Sequence, residues 1–257
     1  MPFAWSNKVV LITGASSGIG RGLARALGQR GARLGLVARR TDLLAEVVNE
    51  IEQGSGQALA LAADVQDAAG MKEAADRLRA RFGPIDILIA NAGIGTTTDA
   101  AELDATEVAR IFGVNVVGAA SSVQAVVPDM VSRGSGHLVA ISSLAGYRGI
   151  PKSASYGASK AALSLFFESL RLDLKPRGID VTIIHPGFIK TPLTAGRESQ
   201  MPFLMELDYA VDKIIRAIEK KRKSYAFPWQ LASIVRLGMV MPTGLYDRLA
   251  MRRSYRE

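Results

Sequence analysis

The chain has no cysteine and only two histidines among its 257 residues. That excludes a disulfide framework, a thiolate metal ligand and a thiol nucleophile, and it leaves too few imidazoles for a histidine-rich metal site. No metal is expected. Long hydrophobic runs are also missing, since no stretch approaches the roughly 18 to 20 unbroken apolar residues of a spanning helix. The one apolar run near the start, Val9 to Ile12, lacks a preceding basic segment and a small-residue cleavage site, and it leads straight into a glycine-rich turn. It therefore reads as a buried first strand and not as a signal peptide, which points to a soluble cytoplasmic protein. Aromatic and basic residues do not interleave. The net charge of +8 is scattered, apart from residues 220–223 and the group Arg248, Arg252, Arg253 and Arg256. No nucleic-acid partner is expected; a solvated basic surface is, and its potential attracts anionic cofactors.

Apolar residues make up 48% of the chain, enough for the core of one large α/β domain spanning 1–257. Short, nearly all-apolar runs are strand candidates at Lys8–Thr13, Arg33–Ala38, Ala58–Ala63, Ile85–Ala90, His137–Ser142, Asp180–His185 and Ser224–Phe227. Such runs suit strands covered on both faces. Between them, Ile19–Arg30, Thr41–Gln53, Ala68–Phe82, Asp104–Arg133, Ala154–Lys175 and Tyr209–Lys223 have helical spacing. Gly31, Gly54, Gly83, Gly134 and Gly178 fall just past helix ends, where a left-handed cap is cheapest. The alternation predicts a doubly wound, Rossmann-like parallel sheet of about seven strands flanked by helices. Its ligand crevice lies at the carboxyl ends of the strands.

The first turn reads Thr13-Gly14-Ala15-Ser16-Ser17-Gly18-Ile19-Gly20, between a strand and a helix. Glycines there let the backbone turn tightly and approach a pyrophosphate, which sits on the amides of the helix N-terminus. Tyr156 and Lys160 stand four apart near a helix start, so their side chains leave one face and meet near the same ligand. An ammonium beside a phenol lowers its pKa from about 10, making the tyrosine a general acid or base. Taken alone, such a pair is an ordinary helix face. A serine at the carboxyl end of the fifth strand, Ser142 or Ser143, adds a hydroxyl aimed at a developing alkoxide.

The GxxxGxG spacing with its leading Thr-Gly resembles the short-chain dehydrogenase/reductase family. Asp64-Val65, Asn91-Ala92-Gly93, Asn115, Ser142-Ser143, Tyr156-Gly157-Ala158-Ser159-Lys160 and Pro186-Gly187 follow in the family's order, over roughly residues 6–195. The resemblance implies an oxidoreductase that moves a hydride between nicotinamide and a carbonyl or alcohol carbon. It selects Ser143, thirteen residues before Tyr156, as the group that polarises the carbonyl. It implies that Asp64 and Val65 hold the adenine and that Asn91, Ala92 and Gly93 line the cofactor cleft. Residues from Pro186 through Gly187 and Ile189 to Thr191 would flank the nicotinamide. Lys160 would orient the ribose, while Asn115 would bend its helix so that a backbone carbonyl holds a water relaying protons to Lys160. Neither His137 nor His185 is assigned to catalysis. A catalytically silent NADP(H)-binding regulator or scaffold is the alternative, but members of that kind usually lack part of the Asn115, Ser143, Tyr156 and Lys160 set.

After the second strand the chain reads Leu36-Val37-Ala38-Arg39-Arg40, with no acid to bind the ribose hydroxyls. An acid there would repel a 2′-phosphate, whereas Arg39 can stack on adenine and bind the phosphate with Arg40 as a second donor. NADP(H) is the expected cofactor, and reduction the expected direction. Residues 188–207 read either as an apolar lid for a hydrophobic carbonyl or alcohol substrate or as packing on the sheet. Leu163, Phe166, Phe167 and Leu170 suit helix pairing between subunits, and the resemblance implies a homodimer or homotetramer. The tail, residues 229–257, reads as helical. It either closes the pocket or interface or, as the sharper reading, makes a weak peripheral membrane contact through Leu231 to Arg253.

Overall fold

The computed structural model describes residues 3–196 and 201–252. The lid expectation falls partly on 197–200 and the tail expectation partly on 253–257, which lie outside the described residues. The chain forms one α/β domain around a seven-stranded, all-parallel sheet of order 3-2-1-4-5-6-7. In chain order the first half runs β1 (Val9–Thr13), α1 (Gly18–Gly28), β2 (Arg33–Ala38), α2 (Thr41–Gln53), β3 (Gln57–Ala62), α3 (Ala68–Phe82) and β4 (Ile87–Ala90). The second half runs α4 (Ala105–Phe112), a π segment (Gly113–Val117), α5 (Gly118–Arg133), β5 (Gly136–Ile141), α6 (Ala154–Leu174), β6 (Ile179–Pro186), α7 (Leu207–Glu219), β7 (Ser224–Phe227), α8 (Trp229–Val240) and α9 (Thr243–Arg252).

Strand pleat sorts the core into two layers. Val10 and Ile12 of β1 face Leu23 and Leu27 of α1 and Ile214 and Ile218 of α7, while Val9 and Leu11 face Leu78 of α3 and Val126 of α5. Successive strand residues point to opposite faces, so a strand sandwiched between helices is apolar throughout, as VVLIT is. The order reverses between β1 and its two neighbours, β2 and β4. The crevice above this switch point receives the loops after β1, β4, β5 and β6.

Two expectations need correction. Gly54 does not adopt a left-handed cap (φ −85°); Ser55 takes the positive φ of 62° instead. The helix predicted from Asp104 runs from Ala105 to Arg133, with a π turn at Gly113–Val117 where the resemblance implied a bend at Asn115. Ala105–Arg133 is long and apolar enough to span a membrane by length and composition, but just over half of its most apolar stretch is buried inside the fold. On α6, Leu163 and Phe167 belong to the core, and the fully outward pair is Leu165 and Leu172. The tail is two helices, α8 and α9, separated at Pro242.

Candidate active site

The loop Thr13–Gly20 turns through positive φ at Gly14 (66°) and Gly18 (53°), a region that side chains rarely adopt. Gly20 must lack a side chain for a different reason: a Cβ there would lie 2.3 Å from the Gly14 carbonyl oxygen. Asn91 at the end of β4 locks the loop down. Its Nδ2 donates to the carbonyls of Thr13 (2.9 Å) and Gly14 (3.3 Å), and Thr13 Oγ1 accepts from the amides of Asn91 and Ala92. Asn91 is therefore a staple across the switch point. Thr13, its partner, is a supporting residue that sequence reasoning quoted without assigning a role.

The N-cap of α1, Ser17, makes no side-chain capping hydrogen bond. Its hydroxyl instead accepts from Arg40 Nη2 at 2.8 Å, and the same nitrogen donates to Ser16 Oγ at 2.9 Å. The first-turn amides of α1 keep their donors for an anion, and a guanidinium already leans on the loop that would hold it. Arg39 points elsewhere, into a 3.6 Å ion pair with Asp64. Asp64 Oδ1 accepts from the Gln66 amide, and Val65 is buried against Gly118, where a Cβ would lie 2.4 Å from its Cγ2. On the far side, Thr191 and Pro192 stand opposite Gly18, with Ile189 buried and bridged to Met205. Gly187 donates its amide to the Phe227 carbonyl (2.7 Å), which fixes the turn after Pro186. A dinucleotide's pyrophosphate fits this cradle, with Arg40 and Arg39 near its ribose end.

The four chemical residues converge beside it. Asn115, fully buried in the π turn, accepts from the Ile94 amide at 2.8 Å and donates to the Ile94 carbonyl and Ser159 Oγ, each at 2.9 Å. Ser159 in turn donates to the Tyr156 carbonyl at 2.8 Å. This residue was missed in the sequence; its signal was a serine between the tyrosine and the lysine on a helix otherwise rich in apolar side chains. Gly93 leaves the space in which Lys160 and Asn115 meet, for a Cβ there would sit 3.2 Å from Lys160 Nζ and 3.3 Å from Asn115 Oδ1.

The two serines after β5 part company. Ser142 is buried and committed to α6, donating to the Lys160 carbonyl (2.9 Å) and touching Ser164 Oγ (2.7 Å). Ser143 starts a short 3-10 turn, accepts from the Ala145 amide at 3.1 Å and is the hydroxyl next to the Tyr156 phenol. Burial pushes the Tyr156 pKa up, and the Ser143 hydrogen bond opposes that rise. Burial also brings Lys160 down to about 8. The sequence expectation that the ammonium lowers the phenol is corrected here: Lys160 Nζ donates to the Ile141 carbonyl at 2.9 Å and stands 5.8 Å from the Tyr156 ring centroid, so desolvation dominates both groups. A phenol that keeps its proton at neutral pH, next to a serine hydroxyl, is a donor pair for a carbonyl oxygen.

A cleft of about 260 Å³ lies between the loop after β4 and the loop before α6, lined by Ala100, Leu103, Ile150, Pro151, Ala154 and Ser155 among others. The loop after β4 also crosses Tyr156 so closely that Gly95 admits no Cβ, which would lie 2.6 Å from the ring. This mainly apolar wall was not identified from the sequence, where attention fell on residues 188–207. Those residues divide: Ile189 and Met205 pack into the core, whereas Leu193 and Phe203 are exposed. His137 is buried against Thr182 (2.8 Å), a packing role, and His185 lies edge-on to Tyr147. Burial holds both imidazoles neutral, with pKa values near 4.

A family model described as short chain dehydrogenase matches residues 8–202. An uncharacterized oxidoreductase of Myxococcus xanthus is 44% identical over 247 residues, covering 96% of this chain and 98% of its own. The ketoacyl reductase HetN of Nostoc is 32% identical, covering 84% of this chain and 77% of its own. Among solved structures, the L-sorbose reductase of Gluconobacter frateurii, complexed with NADPH and L-sorbose, superposes with a TM-score of 0.80 at 26% identity, over 88% of this chain and 97% of that one.

Proposed function

This chain belongs to the short-chain dehydrogenase/reductase family and is an oxidoreductase, and from that premise we propose that it reduces the carbonyl group of a hydrophobic small molecule with NADPH. The observation that carries the reading is the pairing of Tyr156 and Ser143. Both present hydroxyls at the carboxyl end of β5, beside an apolar cleft and next to the cradle formed by Thr13–Gly20. When bound, NADPH supplies the hydride that reaches the carbonyl carbon. Ser143 hydrogen-bonds the carbonyl oxygen, and the Tyr156 phenol delivers the proton to that oxygen as the alkoxide forms. Lys160, buried beside Asn115 and Gly93, holds the ribose. The raised Tyr156 pKa keeps the phenol protonated at rest, as the proton donor of a reduction needs.

NADP(H) preference rests on an acid-free β2 end and on Arg40, whose contacts with Ser16 and Ser17 put a positive charge at the phosphate loop. Arg39 remains the candidate for stacking on adenine. Replacing Arg40 with alanine is expected to raise the Michaelis constant for NADPH by about tenfold or more, the loss of one charge-assisted phosphate contact, with little change for NADH. Steady-state kinetics with both cofactors test this; equal efficiency with NADH and NADPH in the unmodified protein contradicts the cofactor assignment. The exposed Leu165 and Leu172, seven residues apart on α6, support self-association through that helix.

A further inference from the structure

The helices α8 and α9 are tied to the loop at Arg148 and Gly149. Arg148 Nη1 donates to the Met241 carbonyl at 3.0 Å and also to the Gly238 carbonyl, and its guanidinium lies 3.9 Å from the Tyr246 ring centroid. Tyr246 donates to the Gly149 carbonyl at 2.6 Å. The inner side of α8 is apolar and packed, with Leu231 and Ala232 joining Leu144 in a small cluster against Tyr147 and Phe188. The outer side is equally apolar and bare. Eight of the fifteen exposed large hydrophobic residues among the described residues fall between 229 and 251, including Trp229 (73% exposed), Leu237 (63%) and Val240 (80%). Trp229, Leu237 and Val240 follow one another at spacings of eight and three residues, which aligns them along one stripe of the helix.

We propose that this outer face of α8 and α9 seats the protein on an anionic lipid surface, with the mouth of the substrate cleft beside the bilayer. Charge selects lipid over a second copy of the chain. The described residues from 229 on carry Arg236, Arg248 and Arg252 against one acid, Asp247. A two-fold self-contact would set this basic patch against itself, whereas anionic headgroups attract it. An apolar stripe with basic residues and a tryptophan at one end suits the headgroup boundary. The face touches none of the residues assigned to proton transfer, so its role stands or falls separately from the chemistry.

The test is co-sedimentation of the full chain with phosphatidylserine-containing vesicles and with phosphatidylcholine vesicles, at low and high salt. The expected result is binding to the anionic vesicles at least about tenfold tighter than to the neutral ones, weakened by salt, with a blue shift of the exposed Trp229. Replacing Leu237 and Val240 together with glutamate is expected to abolish binding while turnover of a soluble ketone persists. Should that variant fold poorly, Arg248→Gln alone is expected to weaken binding to anionic vesicles several-fold. Protein that stays in the supernatant at low salt overturns the proposal, as does vesicle binding that neither variant alters. A lipid-free oligomer that dissociates on the double substitution assigns the face to a second copy and likewise overturns it.

Discussion

Among individual residues, the candidates for the chemistry were legible only through their combined order and spacing, not through their types. A tyrosine and a lysine one helical turn apart, a serine at a strand end and an asparagine inside a helix are each unremarkable, but the fold brings Lys160 and Asn115 together at Gly93 and sets Tyr156 against neighbouring Gly95. Their electrostatics were not legible. Sequence spacing suggested an ammonium that acidifies the phenol, but desolvation of the half-buried tyrosine and the buried lysine raises the first and lowers the second to about 8. Burial depends on loops contributed by β4 and β5, which no local spacing reveals. Ser159 shows the same limit, since its partners lie 44 residues away at Asn115 and three away at Tyr156. Ser159→Ala leaves the buried Asn115 amide short of one acceptor, so unfolding in urea should show a loss of about 1–2 kcal/mol. Unchanged stability would mean that the bridge contributes nothing.

For the secondary-structure elements, the β/α alternation was readable nearly to its boundaries because strands covered on both faces are continuously apolar and helices are not. Spacing alone missed places where backbone geometry is set by packing. The π turn at Asn115, implied by the family resemblance but not by the apolar spacing, coincides with a side chain that satisfies both Ile94 backbone groups. At the end of α2, Ser55 and not Gly54 takes the left-handed conformation. The glycine-rich turn was read correctly as a place for close approach, and the structure shows which glycine is tightest. Gly20→Ala would force a methyl to within 2.3 Å of the Gly14 carbonyl, so the loop must shift away from its cradle. Overpacking of that kind costs about 1–3 kcal/mol, and NADPH affinity, read by the cofactor's fluorescence, should fall roughly tenfold or more. Affinity equal to that of the unmodified protein would show that this turn does not hold the pyrophosphate.

For the whole molecule, the sheet order 3-2-1-4-5-6-7 brings the ends of β1, β4, β5 and β6 together, and that convergence turns scattered motifs into a site. Sequence order implied this topology once the parallel alternation was recognised, because right-handed crossovers leave few other solutions. It did not show the cleft beside Ser155, which is built by two loops far apart in the chain, nor the pinning of α8 and α9 through Arg148. The account's central claim is that Tyr156 passes a proton to a carbonyl oxygen during NADPH oxidation. Its most direct test compares the unmodified chain with Tyr156→Phe, following NADPH oxidation across a panel of ketones, aldehydes, quinones and steroids while measuring NADPH affinity in parallel. The predicted result is turnover of at least one carbonyl compound by the unmodified chain and a loss of about a hundredfold or more in the variant, with NADPH affinity nearly intact. Near-normal turnover in the variant, or NADPH binding with no turnover of any carbonyl by the unmodified chain, would contradict it.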